Sequence, residues 1–506
     1  MKLTAMVGLG AASLLCARGA LADLSPGLLP PQPEDAPLAG FHDGFFLRDQ
    51  DDNFRLYPRG RINIDMYGFA GPGVSQVKAA DGSTALAPRL FFRRVRLELA
   101  GDFFHQLASF WIATDFGGQP LSNSNGKTEQ TFSKAGQAPT SSTAHFAPIQ
   151  SASTAAALAD VWLNIQPSRA LGFMIGQYQA PFSMENRTSE SYITFMERNV
   201  AIRGFAFPSG KETGVTAWGE VGDGGVFNYE VGVFGGDGQN RPQVDSRFDF
   251  MGRVFVKPLA GAKGGALQKL QIGASAHHGD RDPTAVGYDY PQVTSQQGWV
   301  LWDSTYKNTA GRTVHILPSG AQNEVGGELR IPIQRFDLRG EAYYLANGTR
   351  EAIEGYQLTN TERYGTIRGV AWYGQLSFWP WGTPFVQGDP GYTRPRHVDL
   401  NSPEEYPQGI EVAGLVAGVN AHYDGASRQG ARDASTPNSA ITLYQVGGGV
   451  NYWATRFFRV ALNYFAYVTP SSGDTKQNQA VVPGNIAAAQ GAHVLHEISG
   501  RFGVQF

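Results

Sequence analysis

After its first 22 residues the chain contains no run of about eighteen apolar residues, so no helix in it is built to cross a membrane. Cysteine is almost missing. Cys16 is the only one, which excludes a disulfide within the chain and any Cys-based metal site. The 10 histidines are scattered, with His277-His278 the only adjacent pair, and His493 and His496 fall on opposite sides of an expected strand. Neither the His-Glu-x-x-His zinc motif nor the Gly-x-Ser-x-Gly nucleophile motif occurs. We therefore expect no enzyme, no cofactor and no metal. Positive charge is also short. Of 41 Lys and Arg, Lys2 and Arg18 fall in the first 22 residues, against 44 Asp and Glu, which leaves a net −5 and no global attraction for nucleic acid.

The chain opens with a leader. Lys2 gives a positive start, Leu3 to Cys16 an apolar stretch, and Ala20-Leu21-Ala22 a cleavage pattern before Asp23. Residues 1–22 are expected to be a signal peptide that exports the chain. Leu15 is too large for lipidation at Cys16. Residues 23–53, with Pro30, Pro31 and Pro33, are expected to form a Pro-rich periplasmic lead-in ending in a small hairpin of 45–47 against 54–56.

From residue 54 to 506 apolar and polar residues alternate with a period of two. Ile62, Ile64 and Met66 oppose Arg61, Asn63 and Asp65, and Val95, Leu97 and Leu99 oppose Arg94, Arg96 and Glu98. Leu338, Ala342 and Tyr344 likewise oppose Asp337, Arg339 and Glu341. Such strands meet oil on one face and water on the other. Gly (63 residues) and aromatics (12%) recur through them. A full pass gives sixteen candidate strands, the first at 54–69 and the last at 493–506. The connections alternate long and short, apart from a long Pro-rich link at 381–408 where a short turn is due. Phe506 ends the last strand, and a C-terminal aromatic behind a leader and many alternating strands marks a bacterial outer-membrane barrel and a membrane-insertion signal. The expected fold is all-β: a transmembrane antiparallel barrel of sixteen strands in the outer membrane. Phe103, Phe104, Trp379, Trp381, Trp453, Phe457 and Phe458 gather at strand ends, where rings sit at the headgroup level. The segment 118–156, rich in Ser, Thr, Ala and Gln, is expected to be exposed.

Several segments resemble the phosphate-selective porin O and P family. They are Gly60-Arg61-Ile62-Asn63-Ile64-Asp65, Phe91-Phe92-Arg93-Arg94-Val95-Arg96-Leu97, Ile175-Gly176-Gln177-Tyr178, and Thr194-Phe195-Met196-Glu197-Arg198-Asn199. The resemblance covers about residues 45 to 506. It implies a homotrimer of sixteen-stranded barrels, each narrowed by an infolded third loop, and uptake of anions. The strand count places that loop at 180–210. The family's phosphate-specific members carry a lysine in this loop, and the matching position here is Asn186, beside Arg187. Glu190 stands where they have a serine, and a carboxylate there would repel phosphate.

Read by parity, the inward cations are Arg61, Arg94, Arg96, Arg247, Arg253, Lys257, Lys269, Arg330, Arg335, Arg339, Arg459 and Arg501. The inward acids are Asp65, Glu98, Asp160, Glu220, Asp249, Glu328, Asp337 and Glu341. This is a basic lining inside an acidic chain, and arginine stays charged and forks onto oxyanions. Arg61, Arg94, Arg96, Arg187, Glu197, Arg198, Arg253 and Arg339 are the candidate pore-lining and constriction residues. The plain alternative for each wall arginine is a structural pair across neighbouring strands, as Arg247 with Asp249 or Arg339 with Glu341. For Glu197-Arg198 the alternative is bracing of the loop against the wall. Arg93 falls on the outward parity and is expected at the rim, at a bulge or at a subunit interface. The function expected is a porin for passive uptake of small solutes, with a preference for anions. The alternatives are a general or sugar and organic-acid porin on the same scaffold, and a non-conducting surface-binding β protein. Expected partners are small or anionic solutes, outer-membrane lipid, two further copies of the chain and the barrel-assembly machinery.

Overall fold

The computed structural model describes residues 37–506 apart from 42–43, 72–73, 75–85, 87, 105–106, 118–127, 132–140, 145–156, 208–209, 242, 263–264, 285–290, 304–305, 308–312, 354–363, 387–392, 396–407, 425–439 and 470–492. The expected signal peptide, most of the Pro-rich lead-in and most of the 118–156 segment lie outside the described residues.

One nineteen-stranded antiparallel sheet holds nearly everything, and sixteen of its strands form a closed ring. They are β1 (Phe54–Ala70), β2 (Arg89–Phe103), β3 (Ala108–Asp115), β4 (Ala157–Ser168), β5 (Leu171–Gln179), β6 (Lys211–Val221), β7 (Phe227–Phe234) and β8 (Asp249–Val256). The ring continues with β9 (Gln271–Arg281), β10 (Thr313–Ile333), β11 (Phe336–Ile353), β12 (Tyr364–Trp381), β13 (Gly409–Asp424), β14 (Ala440–Trp453), β15 (Phe458–Val468) and β16 (Val494–Gln505). Each pairs with its sequence neighbour, and β16 closes onto β1 from His496 opposite Ala70 to Gln505 opposite Arg61. Phe506 adds the last rung, because its N–H donates to the Gly60 carbonyl at 3.0 Å and its carbonyl accepts from the Gly60 N–H at 2.8 Å. Closure removes every sheet edge, which is what lets a sheet sit in lipid without orphaned backbone groups.

The alternation of the sequence becomes an inside-out protein. Leu97, Ile112, Ile175, Phe250, Leu338, Val416 and Leu462 face outward and are exposed, whereas Asp65, Arg94, Arg253, Asp337, Arg339 and Glu497 are buried in the interior. Each outward aliphatic would gain about 1.5–3 kcal/mol on leaving water, so such a belt is stable only against lipid. At the end of the barrel with the short turns, Phe336 stacks on Phe378 with centroids 4.6 Å apart and Trp381 lies 6.5 Å from Tyr452. Two of the aromatics expected at the headgroup level are inside instead. Trp379 and Trp453 are buried, and Arg459 lies over the Trp453 ring at 5.2 Å. Position near a strand end says nothing about which face a ring takes, and here parity turns both inward.

The lead-in chain adds two short strands at this rim. Ala39–Phe41 pairs with Phe45–Arg48, which meets β1 at Leu47 opposite Leu56. Among its described residues, the long link between β12 and β13 is an enlarged turn with its own small ladder, Pro384–Val386 against Thr393–Pro395.

Candidate functional site

Between β5 and β6 the described residues of 180–210 hydrogen-bond to inward-facing side chains of the wall. Ser183 N–H donates to Ser275 on β9, Val200 N–H to Gln445 on β14, and the Thr194 carbonyl accepts from Asn451, at 3.0, 3.0 and 2.8 Å. The Ile193 and Met196 carbonyls accept from Arg459 on β15 and Arg501 on β16, at 2.7 and 2.6 Å. The segment thus touches wall strands far apart around the ring. It contains one short helical turn, Met184–Arg187, capped by Ser183, and a π-helical turn, Ile202–Ala206. Asn186 closes its neck, because its Nδ2 donates to the Ala180 and Gly210 carbonyls at 3.1 and 2.9 Å. The side chain at the position of the family's loop lysine therefore points into the loop's own backbone.

The candidate residues fall into three groups. The first gathers on Glu190 and Glu197. Glu197 is shared by four arginines: Arg94 at 2.9 Å, Arg501 at 2.8 Å, Arg93 at 3.2 Å and Arg203 at 3.6 Å. Glu190 accepts from Arg94 at 2.9 Å, Arg96 at 2.8 Å and Arg198 at 3.4 Å, and Arg96 also holds Asp115 at 2.6 Å. Burial pushes both glutamates toward neutrality, but the surrounding guanidinium groups outweigh it and hold both well below the ordinary carboxylate value. Arg198 turns back into the loop and donates to the Glu185, Asn186 and Thr188 carbonyls at 3.1, 3.2 and 2.7 Å. So Glu197 ties the loop to the wall, while Arg198 ties the loop to itself.

The second group flanks the first. Arg61 pairs with Glu98 at 3.1 Å, and Arg187 with Glu230 at 3.0 Å. With Arg59, Arg96, Lys211 and Arg456 they line a cavity of about 100 Å³, which reaches the short-turn rim at Phe457 and Phe506. Six cations meet three acids there, Glu98, Asp160 and Glu190. The third group lies on the other wall. Arg253 forks onto Glu328 with both bonds at 2.8 Å, and Arg339 holds Asp337 at 2.6 Å beside Arg330. These two arginines sit in wall pairs rather than at the carboxylates of the loop. The C-terminal Phe506 belongs to the β1 seam described above.

Several expectations need correction. Of the places expected for Arg93 the bulge is the one found, but its side chain is buried inside rather than on the outward face. The β1–β2 register slips between Asn63 and Ile64, so a bulge at Arg93 turns it inward together with Arg94. Arg247 pairs with Asp280 at 2.7 Å, and Asp249 instead holds Arg281 and His277 at 2.5 and 2.8 Å. Arg335 and Lys269 are exposed in turns, because parity counts only while the strand lasts. Glu341 does not take Arg339. Its partners are Ser183, Met184 and Glu185 of the loop and Tyr373 on β12. Sequence reasoning also missed a second inward segment, between β9 and β10. There Gln292–Thr294 pairs with Val300–Asp303, and Val293, Trp299, Leu301 and Trp302 are buried in one apolar cluster with Phe205, Leu345, Ile367 and Phe465. Gln296 N–H reaches the Tyr467 hydroxyl on β15 at 2.9 Å. Trp299-Val300-Leu301-Trp302 was a legible apolar run, but in a long connection it gave no hint of facing inward.

A family model described as phosphate-selective porin O and P matches residues 59–490. The chain belongs to this family. It is an outer-membrane porin. No curated protein matches it by sequence. Among solved structures it is similar to outer-membrane expressed OmpT of Vibrio cholerae, at 8% identity over 90% of this chain and 98% of that one, with a TM-score of 0.46. The trimer form of in-vitro folded OmpT gives 11% identity over 89% and 100%, with a TM-score of 0.42. An anion-selective porin from Comamonas acidovorans gives 11% identity over 90% and 100%, with a TM-score of 0.42.

Proposed function

We propose that this porin is an anion-preferring channel, narrowed by the 180–210 loop and assembled as a homotrimer. The observation that carries the preference is the convergence of four arginines on the single carboxylate of Glu197. Arg94 and Arg501 make the short bonds and have second partners in Glu190 and Asp65. Arg93 and Arg203 hold only the longer contacts, so positive charge is in surplus where the loop meets the wall. In the adjoining cavity Arg59, Arg61, Arg187, Lys211 and Arg456 stand against Glu98, Asp160 and the Glu230 that holds Arg187, which adds to it. A fixed surplus in a water-poor passage attracts anions and repels cations. Phosphate specificity is not part of the proposal, since Asn186 serves the loop's neck and no loop lysine replaces it. The trimer rests on family membership.

A general porin for organic solutes is the second reading. It draws on a cavity of about 350 Å³ on the long-loop side of the segment, where Phe205, Phe207, Leu345 and Ile367 face Glu212, Asp237, Asp249 and Glu324. The zero-current potential of single channels in a KCl gradient decides between them. Chloride preference supports the first reading. A potential at zero favours the second, and a cation-preferring pore overturns the first.

A further inference from the structure

Ser183, where the loop begins, is held in a conformation that L-residues rarely adopt, with φ 72° and ψ 138°. The surrounding structure over-determines it. Its N–H donates to Ser275 Oγ at 3.0 Å, and its Oγ donates to Glu341 at 3.1 Å and lies 3.0 Å from the Tyr343 hydroxyl. The Glu341 carboxylate then takes the next two backbone N–H groups, Met184 at 2.8 Å and Glu185 at 2.9 Å, and the Tyr373 hydroxyl at 2.7 Å. Its hydrogen-bond partners are all neutral. The nearest arginine in sequence, Arg339, is bound to Asp337, and Glu328, directly across the strand pair, is taken by Arg253. A buried carboxylate on the wall is thus committed to the first turn of the loop. Glu190 and Glu197 fix the middle of the same loop to β2 and β16 through arginines. At the end of this first turn Arg187 pairs with Glu230 on β7 at 3.0 Å, whereas the Ser183–Glu185 stretch that begins it is held to the wall by Glu341 and Ser275.

We propose that Glu341 is the positioning residue of the loop and that the strained Ser183 is its hinge. Without the carboxylate the Ser183–Glu185 stretch leaves the wall about the Arg187–Glu230 pair, Ser183 relaxes, and the channel gains a second, wider state. This rests on the reading that the loop narrows the channel. A glutamine cannot replace the glutamate here, because its NH2 would face one of the N–H groups that the lost oxygen accepted.

The test is Glu341→Gln in the full chain, reconstituted in planar bilayers and liposomes, with heat-modifiable gel migration to show that the barrel has folded. The expected result is switching between the parental conductance and a higher level, and several-fold faster swelling in a trisaccharide. In a Met184→Cys background, where the parent residue is fully buried, the thiol should react with a bulky reagent only when Glu341 is replaced. A folded E341Q protein with one parental conductance level, the parental sugar cut-off and no labelling overturns the proposal. If E341Q does not fold, the Ser183→Ala, Tyr373→Phe double variant keeps the carboxylate, removes two of its donors and is judged by the same readings. Failure of the parent to conduct would count against the channel reading itself. A conducting parent with unchanged variants counts against the hinge alone.

Discussion

Replacing Glu197 by Gln should make the channel more anion-preferring and the barrel less stable at once. Arg94 keeps Glu190 at 2.9 Å and Arg501 keeps Asp65 at 2.7 Å. Arg93 and Arg203 lose the carboxylate they share. Arg203 is 34% exposed in its side chain and can turn toward water, but Arg93 is 8% exposed and has no such exit. Breaking a buried pair on one side costs about 3–5 kcal/mol, and with one of the two cations able to relax we expect about 3. The same substitution adds one net positive charge to the passage. At about 5 Å from a passing ion and a water-like dielectric, that charge is worth about 0.8 kcal/mol, roughly fourfold in a partition ratio. Chloride gains that factor and potassium loses it, so the zero-current potential in a KCl gradient should show the chloride-to-potassium permeability ratio rising roughly 15-fold. Heat-modifiable migration should shift to lower temperature. An unchanged or smaller ratio in a folded E197Q protein would refute the surplus-charge reasoning. An unchanged melting temperature would refute the claim that Arg93 depends on this carboxylate.

Arg203→Ala should do the opposite to selectivity and little to stability. It removes one partly exposed cation held only at 3.6 Å, so the permeability ratio should fall roughly 15-fold while the heat-modifiable transition stays put. The loop's tie to the wall should also show a one-sided pH dependence. Glu190 and Glu197 are held below the ordinary carboxylate value, so their contribution to stability is fully present above it and is lost only as pH falls through the depressed values. Glu185, which burial raises against the pull of Arg339 and Arg198, protonates before these two on acidification and in the stabilising direction. The transition temperature should therefore hold between pH 7 and the ordinary carboxylate value and drop below it, and Glu190→Gln should flatten that acid limb. A drop centred on the ordinary value would show that the pairs are not formed.

The barrel was legible because lipid imposes a rule that needs no partner. Every second residue of each strand must be apolar, and Val95, Leu97 and Leu99 or Val460, Leu462 and Tyr464 obey it wherever they sit in the ring. The same parity put Arg61, Arg94, Arg96, Arg253, Arg339, Arg459 and Arg501 inside. It failed where the period itself breaks. At Arg93 the break is marked, since Phe91-Phe92-Arg93-Arg94 sets two apolar and then two charged residues in succession, and the bulge lies there; what the sequence does not give is that the bulge turns Arg93 inward. Pairing was not legible either. Arg339 stands two residues from both Asp337 and Glu341, and only the loop, arriving from more than 150 residues upstream, decides that Glu341 is taken. The apolar hairpin from the β9–β10 connection was hidden for a related reason. A connection is expected at the surface, and Trp299 and Trp302 find their partners only because the barrel offers a second, inner apolar wall at Leu345, Ile367 and Phe465.

That inner organisation changes how a carboxylate at residue 190 is to be judged. On sequence alone Glu190 looks like a barrier to oxyanions, a negative charge where the family's phosphate-specific members have a serine. Within the fold it accepts from three guanidiniums, at 2.9, 2.8 and 3.4 Å, and its charge is over-compensated before any solute arrives. Without Glu190 and Glu197 the arginines of β2 and β16 would crowd a buried space with no counter-charge, a state that costs several kcal/mol per ion. The acids are thus what allow Arg93, Arg94, Arg96 and Arg501 to stand so close together. In the proposed channel, selectivity then follows from the excess of cations over acids in the cluster rather than from either count. A glutamate that permits a denser set of arginines leaves a larger excess than a neutral residue beside fewer of them.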